Sequence, residues 1–140
     1  MRKDTRRMGQ GLLSVLGLAF FLGQPSTSIA QDDDPRVAWG KDLFLRRCAS
    51  CHGEDGKGNG PAAVALKNSP ADLTQISKKN GGTFSRAEVM RFIDGERPVP
   101  AHGPRHMPIW GEVFREERTD SEAKMRILSL TAFLESIQEK

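Results

Sequence analysis

The sequence predicts an all-α domain, and three observations carry that prediction. Apolar residues recur at three- and four-residue steps in several segments, and no stretch alternates with period two over the length of a strand. Glycine- and proline-rich loops divide those segments from one another, and no internal repeat is present. The chain has 140 residues, 37% of them apolar, including seven Phe and two Trp. That is material for one core of ordinary size and too much for a disordered chain. Two cysteines close at most one bridge, so a disulfide scaffold is excluded.

Residues 1–30 have a separate logic. A basic start, Arg2 to Arg7, leads into the apolar run Leu12 to Leu22 and then to Ser28, Ile29 and Ala30, the order of a secretory signal with small residues at the cleavage site. An eleven-residue run reaches only about half of a ~30 Å hydrocarbon core, which disfavours a membrane anchor. Arg6 and Arg7 form a twin-arginine pair, but Gly9 and Gln10 follow where such signals turn apolar. Cleavage after Ala30 is expected, followed by a short acidic leader over 31–36 and the folded domain over 37–140. Of the 21 basic and 18 acidic residues, four and one lie in residues 1–30, so the expected mature part is near neutral. With no Lys/Arg block it lacks the surface for nucleic acid or an anionic membrane.

Asp32 to Asp34 before Pro35 predict a helix start. Val37, Gly40, Phe44, Cys48 and Cys51 then share one face of a helix expected to end at His52 or Gly53, where Gly53, Gly56, Gly58, Gly60 and Pro61 open a loop. A short helix over Pro61 to Lys67 follows. Pro70 to Thr74 read as another turn and helix start, ended by Asn80, Gly81 and Gly82. Ser85 and Glu88 suit a capping box for a helix with Val89, Phe92 and Ile93 inward, ending at Gly95. Four prolines and Gly103 forbid regular structure from Pro98 to Pro108, and Glu112 to Lys124 read as mixed charge around a turn. Thr119 and Glu122 suit a second capping box, after which Ala123, Ile127, Leu130, Leu134 and Ile137 step by four and three.

The chemistry sits at Cys48, Ala49, Ser50, Cys51 and His52, a C-x-x-C-H pattern with the spacing that attaches c-type haem. Two thiols three apart on a helix share a face and reach two vinyl groups, while the next residue's imidazole can turn over the ring to the iron. Competing readings are weaker. A redox-active Cys pair calls for a βαβ context and a following helix. A zinc site with His102 and His106 would leave a gap of about fifty residues, far beyond the usual finger. A structural disulfide across two residues closes too small a loop to stabilise much. The glycine loop lacks both phosphate-binding patterns and follows no strand.

A sixth iron ligand must come from His102, His106, Met90, Met107 or Met125. Met90 and Met125 fall in predicted helices, where core filling is the commoner role. Met107 lies in the proline-rich strap, and Pro108 biases it toward an extended backbone that holds its thioether out. His102 or His106 would instead give bis-His ligation.

In these residues the chain resembles the class I c-type cytochromes from Gly40 to Leu134. Gly40 and Phe44 stand eight and four residues before Cys48, as in that family, and Leu130, Phe133 and Leu134 resemble the complementary positions. Met107, Pro108, Ile109, Trp110 and Gly111 are similar to the family's M-P-x-W-G motif, the post-haem glycines to its loop, and Pro70, Asp72, Leu73 and Thr74 to its P-x-D-L-T turn. The resemblance implies a small cytochrome c fold, three to five helices around one covalently attached haem c, with the N- and C-terminal helices crossing closely at Gly40. It implies thioethers at Cys48 and Cys51, axial ligation by His52 and Met107, and the Pro61 carbonyl as acceptor for the other ring nitrogen of His52. Trp110 would donate to a propionate or simply pack; Arg97 and Arg105 are further propionate candidates. His102 and His106 flanking the Met are a departure from the family pattern.

The expected function is a periplasmic monohaem electron carrier between redox proteins such as an oxidase, reductase or dehydrogenase, and not a stand-alone enzyme. The alternatives are a haem-bearing electron-transfer subunit of a periplasmic dehydrogenase or oxidoreductase complex, and a gas-binding haem sensor in which Met107 detaches. No nucleophile with a base and no carboxylate pair argues for catalysis.

Overall fold

The computed structural model describes residues 34–96 and 107–139, and all regular structure among them is helical. The expected signal peptide over 1–30, residues 31–33 of the expected acidic leader, and Arg97, His102, Arg105 and His106 lie outside the described residues. Helix α1 (Pro35–Arg47) starts where the sequence indicates: Asp34 accepts from the Arg36 amide at 2.9 Å, with Pro35 in the first turn.

The expected continuation to His52 is instead two helices. α1 stops at Arg47, Cys48 turns at φ −116°, and α2 (Ala49–His52) follows. Hydrogen bonding survives the break. Cys48 donates to the Phe44 carbonyl at 2.8 Å, and its own carbonyl accepts from both the Cys51 and His52 amides, at 3.1 and 2.9 Å. A carbonyl shared at spacings of three and four marks a tightened turn rather than a lost one.

The predicted helix at Pro61 to Lys67 reduces to a single 3₁₀ turn, Ala63–Ala65. Asp72 caps a second, Leu73–Gln75, which runs into α3 (Ile76–Lys79). Asn80 caps its end. α4 (Arg86–Asp94) is capped by Ser85 and stops at Gly95 in the left-handed region, φ 87°. Of the expected box there, the Ser85 acceptor bond to the Glu88 amide is present, while the Glu88 carboxylate pairs with Arg91.

α5 (Trp110–Glu117) replaces the expected turn, and α6 (Asp120–Ser136) carries the full Thr119–Glu122 capping box. Six α-helices therefore stand among the described residues, more than three to five because α2 and α3 are four-residue pieces.

α1 and α6 cross at Gly40. A Cβ there would lie 2.5 Å from the Ser129 carbonyl carbon and 2.9 Å from Phe133 Cβ, so only glycine permits this approach. Phe44 fills the crossing with its ring centroid 5.1 Å from that of Phe133. Leu43, Val89, Ile93, Phe114, Ala123, Ile127, Leu130 and Leu134 complete the core. Two expectations fail here: Phe92 and Met125 are each 44% exposed rather than inward. No described helix is long and apolar enough to cross a membrane.

Candidate functional site

The backbone of residues 50–52 is held by the glycine loop that follows it. α2 is too short to satisfy its own carbonyls, and the loop does so. The Ser50 carbonyl accepts from the Ala62 amide at 2.8 Å, Cys51 from Gly60 at 3.1 Å and His52 from Gly58 at 2.7 Å. Gly60 is required for this, since a Cβ would sit 2.5 Å from the carbonyl oxygens of both Ala49 and Ser50. Gly53 leaves the helix at φ 80°, which turns the chain back.

Cys48 and Cys51 are both free thiols and half-buried. Burial pushes the Cys48 thiol up to about 12, with the neighbouring Cys51 adding to it and Arg47 opposing. Held that high, it favours the neutral thiol at physiological pH.

His52 follows, half-buried, its Nδ1 3.0 Å from the Ala71 carbonyl oxygen. A carbonyl only accepts, so Nδ1 carries the proton and Nε2 keeps a lone pair. Burial lowers the imidazole pKa, with the Ala71 bond acting the other way, so the ring stays neutral. The acceptor is a correction: it is Ala71, not Pro61. Pro61 belongs to the loop that returns along the backbone of α2, whereas Ala71 opens the 3₁₀ turn beyond it.

Met107 begins the second described segment, 42% exposed and three residues ahead of α5. Trp110 packs on the core, its ring centroid 5.8 Å from that of Phe114. Met90 is partly buried against the core, as a space filler would be.

α5 itself is fixed at both ends. Gly111 brings its first turn against Asp94, where a Cβ would lie 2.6 Å from the backbone oxygen, and Arg115 pairs with the Asp94 carboxylate at 2.6 Å. At the other end Glu117 accepts from Arg47 at 2.9 Å and from Arg126 at 2.8 Å, and the Arg126 guanidinium lies 5.3 Å above the Phe114 ring. Sequence reasoning missed α5, Glu117 and Ala71; only Asp72, read as a helix start, pointed near the last of these.

The donor set fits a covalently attached haem. Two unbridged thiols three apart precede an imidazole whose outer nitrogen is tied down and whose inner nitrogen is free to ligate. Among the described residues no group of three or more His, Cys, Asp or Glu is placed to hold a bare metal ion.

A family model described as cytochrome c matches residues 37–136. Among curated proteins, the chain is similar to the cbb3-type cytochrome c oxidase subunit FixP of Azorhizobium caulinodans, 37% identical over 81 residues, which is 56% of this chain. The match covers 25% of that relative's length, about a quarter of it. No solved structure gives a significant match.

Proposed function

Because the chain belongs to the cytochrome c family, whose members bind haem c covalently, we propose that it is an exported, periplasmic carrier of single electrons between redox proteins. In this reading residues 1–30 are removed, leaving residues 31–36 as a leader to a domain over 37–140. Cys48 and Cys51 hold one haem c as thioethers, and His52 and Met107 are its axial ligands. The bound group supplies one-electron chemistry through ferrous and ferric iron.

The observation that supports this most is the Nδ1–H of His52 held on the Ala71 carbonyl beside two free thiols. That bond fixes the ring's rotation and tautomer and makes Nε2 a better donor. The loop amides hold the same stretch by its backbone, so the three donors keep their spacing. The Met107 thioether, a soft donor, favours the reduced metal and raises the potential. With both axial positions filled, no place remains for a substrate or dioxygen.

The test is an intact mass and an absorption spectrum of the secreted protein. The reading expects the chain from Gln31 plus one haem, a six-coordinate spectrum in both redox states, and no response to carbon monoxide when reduced at neutral pH. Met107→Ala is expected to open the sixth position to that gas. A colourless product, or gas binding by the wild type, overturns it.

A second reading follows from the FixP relative, whose name places it in an oxidase: the chain acts as the haem-bearing subunit of a larger oxidoreductase. Co-purification at fixed stoichiometry with a catalytic partner supports the subunit, and a lone monomer on sizing supports the carrier.

A further inference from the structure

The Ala71 carbonyl lies in a segment that cannot hold its own position. It precedes a single 3₁₀ turn and a four-residue helix, both far below the length at which helical structure persists alone. Asp72 tightens the turn locally, accepting from the Thr74 amide at 2.9 Å and the Thr74 hydroxyl at 2.6 Å. Placing the turn against the rest of the molecule takes long-range ties. One comes from the glycine loop, where the Gly56 carbonyl accepts from the Leu73 amide at 2.8 Å.

The others come from the residues that follow α6. Gln138 spends both ends of its amide on this segment: its nitrogen donates to the Leu73 carbonyl at 2.8 Å, and its oxygen accepts from the Ser77 amide at 2.8 Å. The same nitrogen donates to the Leu134 carbonyl at 2.7 Å, which locks the side chain to α6. The Glu139 amide donates to the Thr74 carbonyl at 2.9 Å. The Glu139 carboxylate reaches Gln75 at 2.5 Å and Lys57 at 3.0 Å, tying the turn to the glycine loop.

We infer that Gln138 is a positioning residue for the proximal histidine: by clamping residues 73–77 to α6 it sets the Ala71 carbonyl on His52 Nδ1, and through that bond tunes the reduction potential. The inference rests on His52 being the iron ligand. A hydrogen bond to Nδ1–H gives the imidazole more anionic character, which favours ferric iron, so loosening the clamp raises the potential. Glu139 contributes less, because its carboxylate pairs are half exposed and screened.

The experiment uses the haem-loaded protein and the variant Gln138→Leu, which keeps the volume and removes three hydrogen bonds. Two readouts are taken, the potential and the solvent exchange of the His52 Nδ1 proton by nuclear magnetic resonance. Gln138→Leu is expected to raise the potential and to speed that exchange by on the order of tenfold, as loosening the clamped turn permits. Thr119→Ala, which removes a cap remote from the turn, should lower the melting temperature and move neither readout. If Gln138→Leu fails to fold, Gln138→Glu retains the acceptor for Ser77 and loses the donor. Its effect is expected to be smaller and to reverse in acid, when the carboxyl can donate again. Unchanged exchange and potential in the variant overturn the inference alone. Absence of a paramagnetically shifted His52 ring proton in the ferric wild type overturns the ligand assignment beneath it.

Discussion

Gly40 and Ser129 meet where α1 and α6 cross, and each supplies a test of packing. In an open helix, alanine is favoured over glycine by about 1 kcal/mol. At Gly40 the added methyl would lie 2.5 Å from the Ser129 carbonyl carbon, and forcing two backbones apart costs about 1–3 kcal/mol or more. The clash wins, so Gly40→Ala is expected to lower the melting temperature of the holoprotein; an unchanged or higher value contradicts the close crossing. Ser129 carries a fully buried hydroxyl with no hydrogen-bond partner among the described residues. Its desolvation is uncompensated, so Ser129→Ala is expected to be neutral or to add up to about 1 kcal/mol in denaturant unfolding, in contrast to the usual loss on truncating a core residue. At this scale the sequence was informative wherever the signal is a local spacing of distinctive side chains. Cys48, Cys51 and His52 fall within five consecutive residues, and the caps at Asp34, Ser85 and Thr119 stand one residue before their helices. The His52 acceptor was not legible, because every residue has a carbonyl and Ala71 is nineteen positions away.

α5 depends on charge at its far end. Glu117 is held below the usual carboxylate range by its hydrogen bond to Arg126 first, with Arg47 contributing. A carboxyl depressed on folding adds stability above its unfolded value near 4.5, and that contribution is lost as pH falls through the lower folded value. Glu117→Gln is therefore expected to flatten the acid-side fall of melting temperature below about pH 5, while an unchanged acid limb would detach this ion pair from stability. Elements were legible where caps and period agree, as in α4 and α6. α5 was not: Ile109 offers no capping side chain, and the first turn carries Gly111. The reason for that glycine is tertiary: it admits the Asp94 backbone. Met125 was misread because it lies about 200° around α6 from Ala123, opposite the buried stripe.

The family match over residues 37–136 spans about 100 residues, and a domain of that size buries only around two-thirds of its unfolded surface. Phe92 and Met107 are each more than two-fifths exposed. The haem-free chain is expected to melt without a cooperative heat-absorption peak in calorimetry, and full native cooperativity would contradict that. The all-α class was readable from period, and the crossing of the outer helices only through the family resemblance that Gly40 and Phe44 carry; the placement of the short middle pieces was not, because tertiary hydrogen bonds decide it. That crossing also imposes an order in time. Gly40 and Ser129 are about ninety residues apart, and joining them closes a loop at a cost of about 4 kcal/mol that nothing offsets before α6 exists. A nascent chain still missing that helix stays pliable, and the fold latches shut only once α6 has been made.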